Sequence, residues 1–476
     1  MKQYNRRDFL KVSGTVAATS ALAACGKKDN AEDIDLDPMG NHTDPVPTDK
    51  MTYRTNPKTG DKVSILGYGW MRLPTKRVGD GPNNEVIDQE QVNRLTNYAL
   101  EHGVNYFDTS PAYCRGKSEE SLGIALEQSG RPRDSYYIAT KLSNFSPQQY
   151  SFEEGCKIFE NSLQYLKTDY IDYLLLHSIG GGGMDNLRQR FLDNGLLDWL
   201  MEQREKGRIR NLGFSFHGDV TVFDYMLEHH DKYKWDFVQI QANYIDWKQA
   251  SGRNVNGEYL YTELEKRGIP AVIMEPLLGG RLSKVPDHVV AHLKQRKPEN
   301  SVASWAFRYI GSKPNVLTVL SGMTYMEHLQ DNIRTYSPHK PLNDSELKLL
   351  EEIADVYANF KTVPCTACKY CMPCPYGIDI PGVFAHFNKC LNEGNVINPS
   401  EDADTEEKRA YRKARRAFLV SYERAIPSVR QADHCIGCGH CLQECPQGID
   451  IPGQMVRIND YVEQLKKDMP APAPTA

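Results

Sequence analysis

The sequence has no excess of positive charge and no long apolar run. Its 476 residues include 57 lysines and arginines and 62 aspartates and glutamates, which gives a net charge of -5 at pH 7. This balance provides no overall attraction to nucleic acid. The apolar segment near the N-terminus, residues 12–24, is shorter than the about 20 residues that a membrane-spanning helix needs. We therefore expect no nucleic-acid partner and no permanent transmembrane anchor.

The N-terminal residues have the features of an export signal over residues 1–25. Arg6 and Arg7 precede the weakly apolar segment, as is typical of a twin-arginine signal. Leu22-Ala-Ala-Cys25 resembles a bacterial lipobox, which predicts a lipid anchor at Cys25. Residues 26–55 are polar and contain prolines, so we expect a flexible linker. These features predict export to the cell envelope, in the periplasm or on the outer face. A cytosolic enzyme with a basic N-terminus is the alternative.

Two regularly spaced cysteine runs lie near the C-terminus. Three cysteines at intervals of three residues, with a fourth before a proline, form the arrangement that binds a cubane iron–sulfur cluster. Structural zinc sites usually pair two separated Cys-x2-Cys units, and a disulfide framework needs no regular spacing. The sequence therefore predicts two [4Fe-4S] clusters bound by Cys365, Cys368, Cys371, Cys374, Cys435, Cys438, Cys441 and Cys445.

The two runs are halves of an internal repeat, because the residues from Cys374 to Gly382 return almost unchanged from Cys445 to Gly453. The pattern resembles two-cluster ferredoxins, in which the fourth cysteine of each run binds the other cluster. The resemblance implies that Cys445 joins the first run and Cys374 the second. The first run has two residues rather than three before its last cysteine, so the exchange of Cys374 and Cys445 stays open.

The segment between the two cysteine runs predicts a helix. It is a charged stretch from Glu401 to Arg416 followed by residues 417–422. This favours a mainly helical ferredoxin-type domain over residues 341–465, rather than the compact sheet form. We expect a disordered tail over residues 466–476.

From about Lys62 to Pro338, short β-branched or aromatic runs alternate with amphipathic helices. Eight such units predict a closed parallel (β/α)8 barrel with its chemistry at the carboxyl ends of the strands. On the pattern alone, a doubly wound sheet stays open. The runs cover residues 64–66, 106–110, 136–142, 170–177, 209–216, 237–244, 269–276 and 316–322.

Four residues at the ends of these runs carry acid–base chemistry. Asp108 closes the second run and Tyr113 follows it, Lys141 ends the third run, and His177 ends the fourth. In their local contexts they resemble the catalytic tetrad of the aldo/keto reductases, in the branch with a C-terminal two-cluster domain. The segment Ser118-Glu-Glu-Ser-Leu-Gly123 strengthens this resemblance, which covers roughly residues 60–340. It implies a TIM barrel over residues 56–340.

The four side chains fit the reduction of a carbonyl or the oxidation of an alcohol. A phenol with a pKa near 10 releases its proton reluctantly at neutral pH, and a nearby ammonium group lowers that pKa. Lys141 would do this for Tyr113, and Asp108 would hold the lysine in place. His177 would donate to the substrate oxygen and orient it. Taken singly, each residue has a structural alternative: an ion pair, a packed tyrosine or a core histidine.

The resemblance also implies a bound nicotinamide nucleotide. No cation follows the eighth run to receive a 2′-phosphate, so the sequence does not favour NADP over NAD. No flavin fingerprint is visible, and a flavin stays open as an alternative carrier. The predicted nucleotide contacts are Gln239, Asn243, Met274, Gly279, Gly280, Ser321, Gly322 and Asn332.

Nicotinamide transfers two electrons as a hydride, whereas each cluster passes one electron at a time. We expect an exported oxidoreductase that acts on a carbonyl or alcohol, keeps NAD(P) tightly bound, and exchanges electrons through its clusters with a membrane partner. The alternative is a nicotinamide-dependent carbonyl reductase whose ferredoxin-type domain is only a structural or docking module.

Overall fold

A computed structural model describes residues 36–79, 84–250, 254–358, 362–398 and 404–468. The chain forms two compact units. The barrel unit contains residues 37–278 and 293–357. The cluster unit contains Leu36, residues 279–292 and the described residues from 358 onward. No helix in the described ranges is both long enough and apolar enough to cross a bilayer. The predicted export signal, with Arg6, Arg7 and Cys25, lies outside these ranges, as do the last residues of the predicted tail.

Eight parallel strands close into a barrel, which confirms the predicted fold class and excludes a doubly wound sheet. Consecutive strands are neighbours, and the eighth pairs with the first. The strands are buried almost throughout, as expected where both faces of a parallel sheet are covered. They are β1 (Leu66–Gly69), β2 (Tyr106–Asp108), β3 (Tyr137–Leu142), β4 (Ile171–Ile179), β5 (Ile209–Phe216), β6 (Phe237–Gln241), β7 (Ala271–Met274) and β8 (Val316–Ser321).

The first barrel strand lies further along the chain than predicted. The prediction placed it at residues 64–66, whereas Lys62–Ser64 instead forms an antiparallel hairpin with the segment before it. Two glycines within β1 hid the strand signal, since glycine usually weakens a strand. A Cβ at Gly67 would lie 2.8 Å from Leu320 Cδ2 and 2.9 Å from Thr318 Oγ1, so a larger residue would force these side chains to move. The glycine therefore marks close packing rather than a turn.

The N-terminal hairpin, Tyr53–Thr55 paired with Lys62–Ser64, packs at the amino ends of the strands. From its turn, the Asn56 side chain donates to the Asn211 side chain over 3.2 Å. Aromatic rings fill the barrel interior above it, including Tyr106 and Tyr173, whose ring centres are 5.1 Å apart. The carboxyl ends of the strands are thus left to carry the site. A second hairpin pairs Thr75–Arg77 with Glu85–Ile87.

Helices follow the barrel strands. On α3, Ser151 caps the N-terminus by accepting from the Glu154 amide, and Phe159 and Leu163 are buried. Cys156, on the same helix, is partly exposed. The helices are α1 (Gln89–Glu101), α2 (Ser118–Gln128), α3 (Phe152–Leu166), α4 (Gly183–Leu187), α5 (Leu196–Glu205), α6 (Val220–Glu228), α7 (His230–Tyr233), α8 (Gly257–Lys266), α9 (Asp287–Arg296), α10 (Val302–Gly311), α11 (Met326–Tyr336) and α12 (Asp344–Ala358).

The cluster unit is helical in its described residues from 362 to 468, as predicted. The predicted central helix is confirmed as α14, which begins with a capping box between Asp404 and Glu407. Its buried face contributes Phe418 and Tyr422 to the core of the unit. The helices of this segment are α13 (Ile380–Asn392), α14 (Thr405–Ala425), α15 (His440–Glu444) and α16 (Ile451–Lys467).

The repeated Gly-Ile-Asp-Ile-Pro-Gly segment is a helix start. Asp379 caps α13 by accepting from the Gly382 amide over 3.1 Å, and Asp450 caps α16 in the same way through Gly453. Proline occupies the first turn of both helices, where its missing N–H costs no hydrogen bond. The repeat therefore directs the chain from each fourth cysteine into a helix.

Candidate active site and cluster sites

The ends of β2 and β3 bring Asp108 and Lys141 together as a buried ion pair. Lys141 Nζ donates to Asp108 Oδ1 over 2.6 Å and to the Thr109 carbonyl over 2.8 Å. Burial lowers the pKa of Lys141 and raises the pKa of Asp108, and the opposite charge of each partner counteracts the shift. The second oxygen of Asp108 finds no donor among the described residues. The pair thus keeps an ammonium group fixed deep in the barrel.

Tyr113 lies beside this ammonium group. It begins a short 3-10 turn in which Cys114 and Arg115 have positive φ angles, 50° and 56°. Lys141 Nζ stands 4.8 Å from the centre of the Tyr113 ring. A cation at this distance favours a negatively charged phenolate, as the predicted acid–base role requires. The Cys114 thiol donates to the Met71 carbonyl over 3.6 Å, a contact between the loop after β2 and the loop after β1.

His177 faces Tyr113 from β4, with the two ring centres 5.8 Å apart and nearly perpendicular. Burial lowers the pKa of His177 well below its ordinary value, and the positive charges of Lys141 and Arg190 add to the effect. The imidazole is therefore neutral near pH 7 and carries a single N–H. The structure brings all four predicted tetrad residues together at the carboxyl ends of β2 to β4.

Gln239, on β6, has an orphaned carbonyl. Its side chain is 2% exposed, and its Nε2 donates to Met274 Sδ over 3.4 Å, at the end of β7. Its Oε1 is buried without a donor among the described residues. A buried amide oxygen without a partner is costly unless a ligand donates to it. This atom suits the carboxamide of a nicotinamide, so the residues present fit that group.

Asn243 is held within its own turn. Its Nδ2 donates to Asp246 Oδ2 over 2.9 Å, and its Oδ1 accepts from the amides of Ile245 and Asp246. These bonds order the loop after β6. Its predicted contact with a nucleotide stays a prediction.

The nucleotide contacts predicted at and after the end of β8 lie close together. Asn332, on α11, donates to Ser321 Oγ over 3.0 Å, and both are almost fully buried. A Cβ at Gly322 would lie 3.5 Å from Arg72 Cβ. The aliphatic part of the Arg72 side chain, from the loop after β1, therefore borders this group. Contacts of this group with a nucleotide stay predictions.

Gly279 and Gly280 belong to the cluster unit. Both have positive φ angles, 68° and 92°. A Cβ at Gly279 would lie 2.3 Å from the Cα of Thr366. Within the same unit, Arg281 Nη2 donates to Thr362 Oγ1 over 2.5 Å. The segment thus supports the loop that carries Cys365 and Cys368, and its predicted contact with a pyrophosphate stays a prediction.

The eight cysteines of the two runs gather in two crossed sets. Cys374 lines one cavity together with Cys435, Cys438 and Cys441. Burial raises the pKa of the Cys371 thiol, and it is raised further by the nearby Cys368, Cys365 and Cys445 and, least, by Cys441 of the other set. No three His, Cys, Asp or Glu side chains in the described ranges lie close enough for a single metal ion. A four-iron cluster spaces its ligands more widely, so the thiols fit two clusters with exchanged fourth ligands.

Hydrogen bonds to the backbone hold the loop that carries Cys365. Asn388, on α13, accepts from the Val363 amide and donates to its carbonyl, both over 2.8 Å. The Ala367 amide donates to Cys365 Sγ over 3.4 Å. Such N–H groups stabilise thiolate ligands and tune a cluster's reduction potential.

Two family models match the chain. The model of the aldo/keto reductase family matches residues 65–355, which is more than half of the sequence. The chain belongs to the aldo/keto reductase family. A model of the 4Fe-4S dicluster domain matches residues 364–449. This aldo/keto reductase is therefore an oxidoreductase that carries an iron–sulfur domain after its barrel.

Curated relatives match the barrel part of this aldo/keto reductase. L-galactose dehydrogenase of Arabidopsis thaliana is 24% identical over 318 residues, covering 63% of this chain and 93% of the relative. An uncharacterized oxidoreductase of Bacillus subtilis is 26% identical over 320 residues, covering 61% and 92%. Among solved structures, the holo form of an aldo-keto reductase from Bacillus halodurans has a TM-score of 0.51 at 23% identity, covering 64% of this chain and 96% of its own. The structural likeness supports the fold.

Sequence reasoning missed three buried residues around the tetrad. Glu119, on α2, accepts from Thr140 Oγ1 over 2.5 Å, and burial raises its pKa to about 7. Arg190 donates to the His177 carbonyl over 2.7 Å and to the Asn144 carbonyl over 3.0 Å. Ser143 Oγ lies 2.6 Å from His177 Nδ1. Ser143 follows Lys141 by two residues, and that spacing was the only signal available for it.

Proposed function

We propose that this aldo/keto reductase is an exported enzyme that interconverts a polar carbonyl compound and its alcohol with a bound nicotinamide nucleotide. In this proposal its two clusters relay electrons to or from a membrane partner. The observation that carries the proposal is the convergence of a buried lysine–aspartate pair, a phenol and a neutral imidazole at one end of the barrel.

The four side chains divide the acid–base work. Reduction of a carbonyl places negative charge on its oxygen, which must receive a proton. The Tyr113 hydroxyl supplies that proton, and Lys141 stabilises the phenolate left behind. Asp108 fixes the position of the ammonium group through its 2.6 Å hydrogen bond. The neutral His177 donates to the substrate oxygen and orients it. In the oxidation direction Tyr113 accepts the proton instead.

A bound nicotinamide would supply or accept the hydride. Gln239 would accept from the nicotinamide carboxamide through its orphaned Oε1, and Met274 would pack against the ring. An aldo/keto reductase from Klebsiella pneumoniae, 20% identical with a TM-score of 0.50, has been solved in complex with NADPH. We propose NAD or NADP without choosing between them, and a flavin remains the alternative carrier.

The electron count links the two chemistries. Outside the cytoplasm there is no free pool of reduced nicotinamide, so an exported enzyme must regenerate its nucleotide in place. Two one-electron carriers in one chain match the two electrons of a hydride. The eight cysteines, in two crossed sets of four, would hold those carriers. A twin-arginine route, which exports folded proteins with their cofactors, and a lipid anchor at Cys25 would place the enzyme beside a membrane partner.

The catalytic part of this proposal is tested by turnover. Protein purified anaerobically is assayed with polar aldehydes and sugars, with NADH and with NADPH. We expect Tyr113→Phe to reduce kcat by at least a hundredfold, because general acid catalysis contributes about 10²- to 10⁴-fold. The matched control is Tyr165→Phe, which changes an exposed tyrosine on α3. This variant should have the same kcat as the wild type. Equal rates for Tyr113→Phe and the wild type would refute the assignment.

A further inference from the structure

The imidazole of His177 is joined to a short chain of buried hydroxyl groups. His177 Nδ1 lies 2.6 Å from Ser143 Oγ and 3.3 Å from Ser110 Oγ, and the two hydroxyl oxygens are 2.9 Å apart. Ser110 Oγ also accepts from the Ala112 amide over 3.1 Å. All three side chains are at most 6% exposed. Neither serine was predicted to take part in the site.

One arrangement of these hydrogen bonds gives every hydroxyl hydrogen an acceptor. Ser110 already accepts from the Ala112 amide and has one hydrogen to give. Ser143 also has one hydrogen, and its contact with His177 Nδ1 is much shorter than its 3.4 Å contact with the Lys141 carbonyl. In this arrangement, which uses the shortest contacts, Ser110 donates to Ser143, and Ser143 donates to His177 Nδ1. Each hydrogen is then used once.

We propose that Ser143, supported by Ser110, is a positioning residue that fixes His177 with its single proton on Nε2. This rests on the proposed function, since a carbonyl oxygen has no hydrogen to give and needs a donor facing it. The hydrogen bonds of the His177 ring to the two serines run through Nδ1, which leaves Nε2 for the substrate. The opposite tautomer would present a lone pair to a lone pair.

The surroundings hold this arrangement in place. Arg190 donates to the His177 carbonyl and, through Nε, to the carbonyl and side-chain oxygen of Asn144, the residue after Ser143. The Asn144 side chain donates back to the Arg190 carbonyl over 3.0 Å. The end of β4 and the loop after β3 are thus tied to one buried cation. A backbone movement at His177 or Asn144 would break these bonds.

The test combines a spectroscopic and a kinetic measurement on the full-length protein. Nitrogen-15 chemical shifts of the His177 ring, assigned with His177→Gln, should show a protonated Nε2 and an unprotonated Nδ1 in the wild type. In Ser143→Ala this preference should weaken, and kcat should fall about tenfold while the dissociation constant of the nucleotide stays unchanged, since one buried hydrogen bond is lost. Ser110→Ala should show a smaller change in the same direction.

The control is Ser135→Ala, an exposed serine that donates to the Pro132 carbonyl, which should leave both measurements unchanged. A wild-type His177 with its proton on Nδ1 would overturn the proposal. So would a Ser143→Ala variant with an unaltered spectrum and an unaltered kcat. If the wild type turned over no carbonyl substrate, the proposed function would fail, while the chemical shifts would still report the tautomer.

Discussion

Gly279 lies against Thr366 so closely that a Cβ on Gly279 would stand 2.3 Å from the Thr366 Cα and 2.5 Å from its carbonyl oxygen. Thr366 is the residue after the first cluster cysteine, Cys365. The diglycine that follows β7 in the sequence is therefore part of the support for a cluster loop. A side chain cannot enter this contact without moving backbone, because the atoms that it would meet are themselves backbone.

Replacing Gly279 should disturb the first cluster. In Gly279→Ala we expect loss of iron and a changed electron paramagnetic resonance signal for the cluster whose loop contains Cys365 and Cys368. The control is Gly268→Ala, which has a similar φ of +64° but no atom within 4 Å of the new Cβ. It should cost roughly 1–2 kcal/mol of stability, because alanine is strained at a positive φ, and leave both clusters intact. Full cluster content in Gly279→Ala would contradict the assigned role.

The crossed ligand sets make a second prediction. Cys445→Ala should alter the same cluster signal as Cys368→Ala, because both side chains belong to the set around Cys371. Cys374→Ala should instead match Cys438→Ala, since these two cysteines line one cavity. Reduced samples of the four variants, compared by electron paramagnetic resonance, provide the measurement. The reverse pairing of the signals would show that each run binds its own cluster.

Glu119 should make stability depend on pH. Burial raises its pKa from 4.5 in the unfolded chain to about 7 in the folded protein. Between these values the folded state binds the extra proton, so this contribution to stability is complete at low pH and is lost as the pH rises through 7. Glu119→Gln removes this dependence. Relative to the wild type, the variant should gain on the order of 2 to 3 kcal/mol between pH 5 and pH 8.

Urea unfolding of the barrel, followed by tryptophan fluorescence at both pH values, measures this difference. Glu120→Gln is the matched control, because it removes a carboxylate from the same helix where the side chain is 47% exposed and paired with Lys117. Its effect should be small at both pH values, because exposed ion pairs contribute little to stability. A Glu119→Gln difference that is equal at pH 5 and pH 8 would refute the assignment.

Much of this molecule could be predicted from local sequence. Lys141 and His177 could be placed at strand ends because each closes an apolar run, and the cysteine spacing is a local signal for cluster binding. Ser143 and Glu119 could not be predicted in the same way. Their roles come from contacts across strands and between a helix and a strand, which pair residues 34 and 21 positions apart. The role of Gly279 could not be predicted either. A diglycine in a sequence is equally compatible with a turn, a phosphate site and a close backbone contact.

The most direct test of the whole account is whether the substrate changes the oxidation state of the clusters. Anaerobic wild-type protein is mixed with substrate and nucleotide while the cluster absorbance and paramagnetic signals are followed. We predict that the clusters change oxidation state in step with turnover. In Tyr113→Phe we predict clusters that dithionite still reduces but that substrate no longer affects. Clusters that never respond to substrate in the wild type, with either nucleotide, would contradict the coupling and leave the iron–sulfur domain as a structural or docking module.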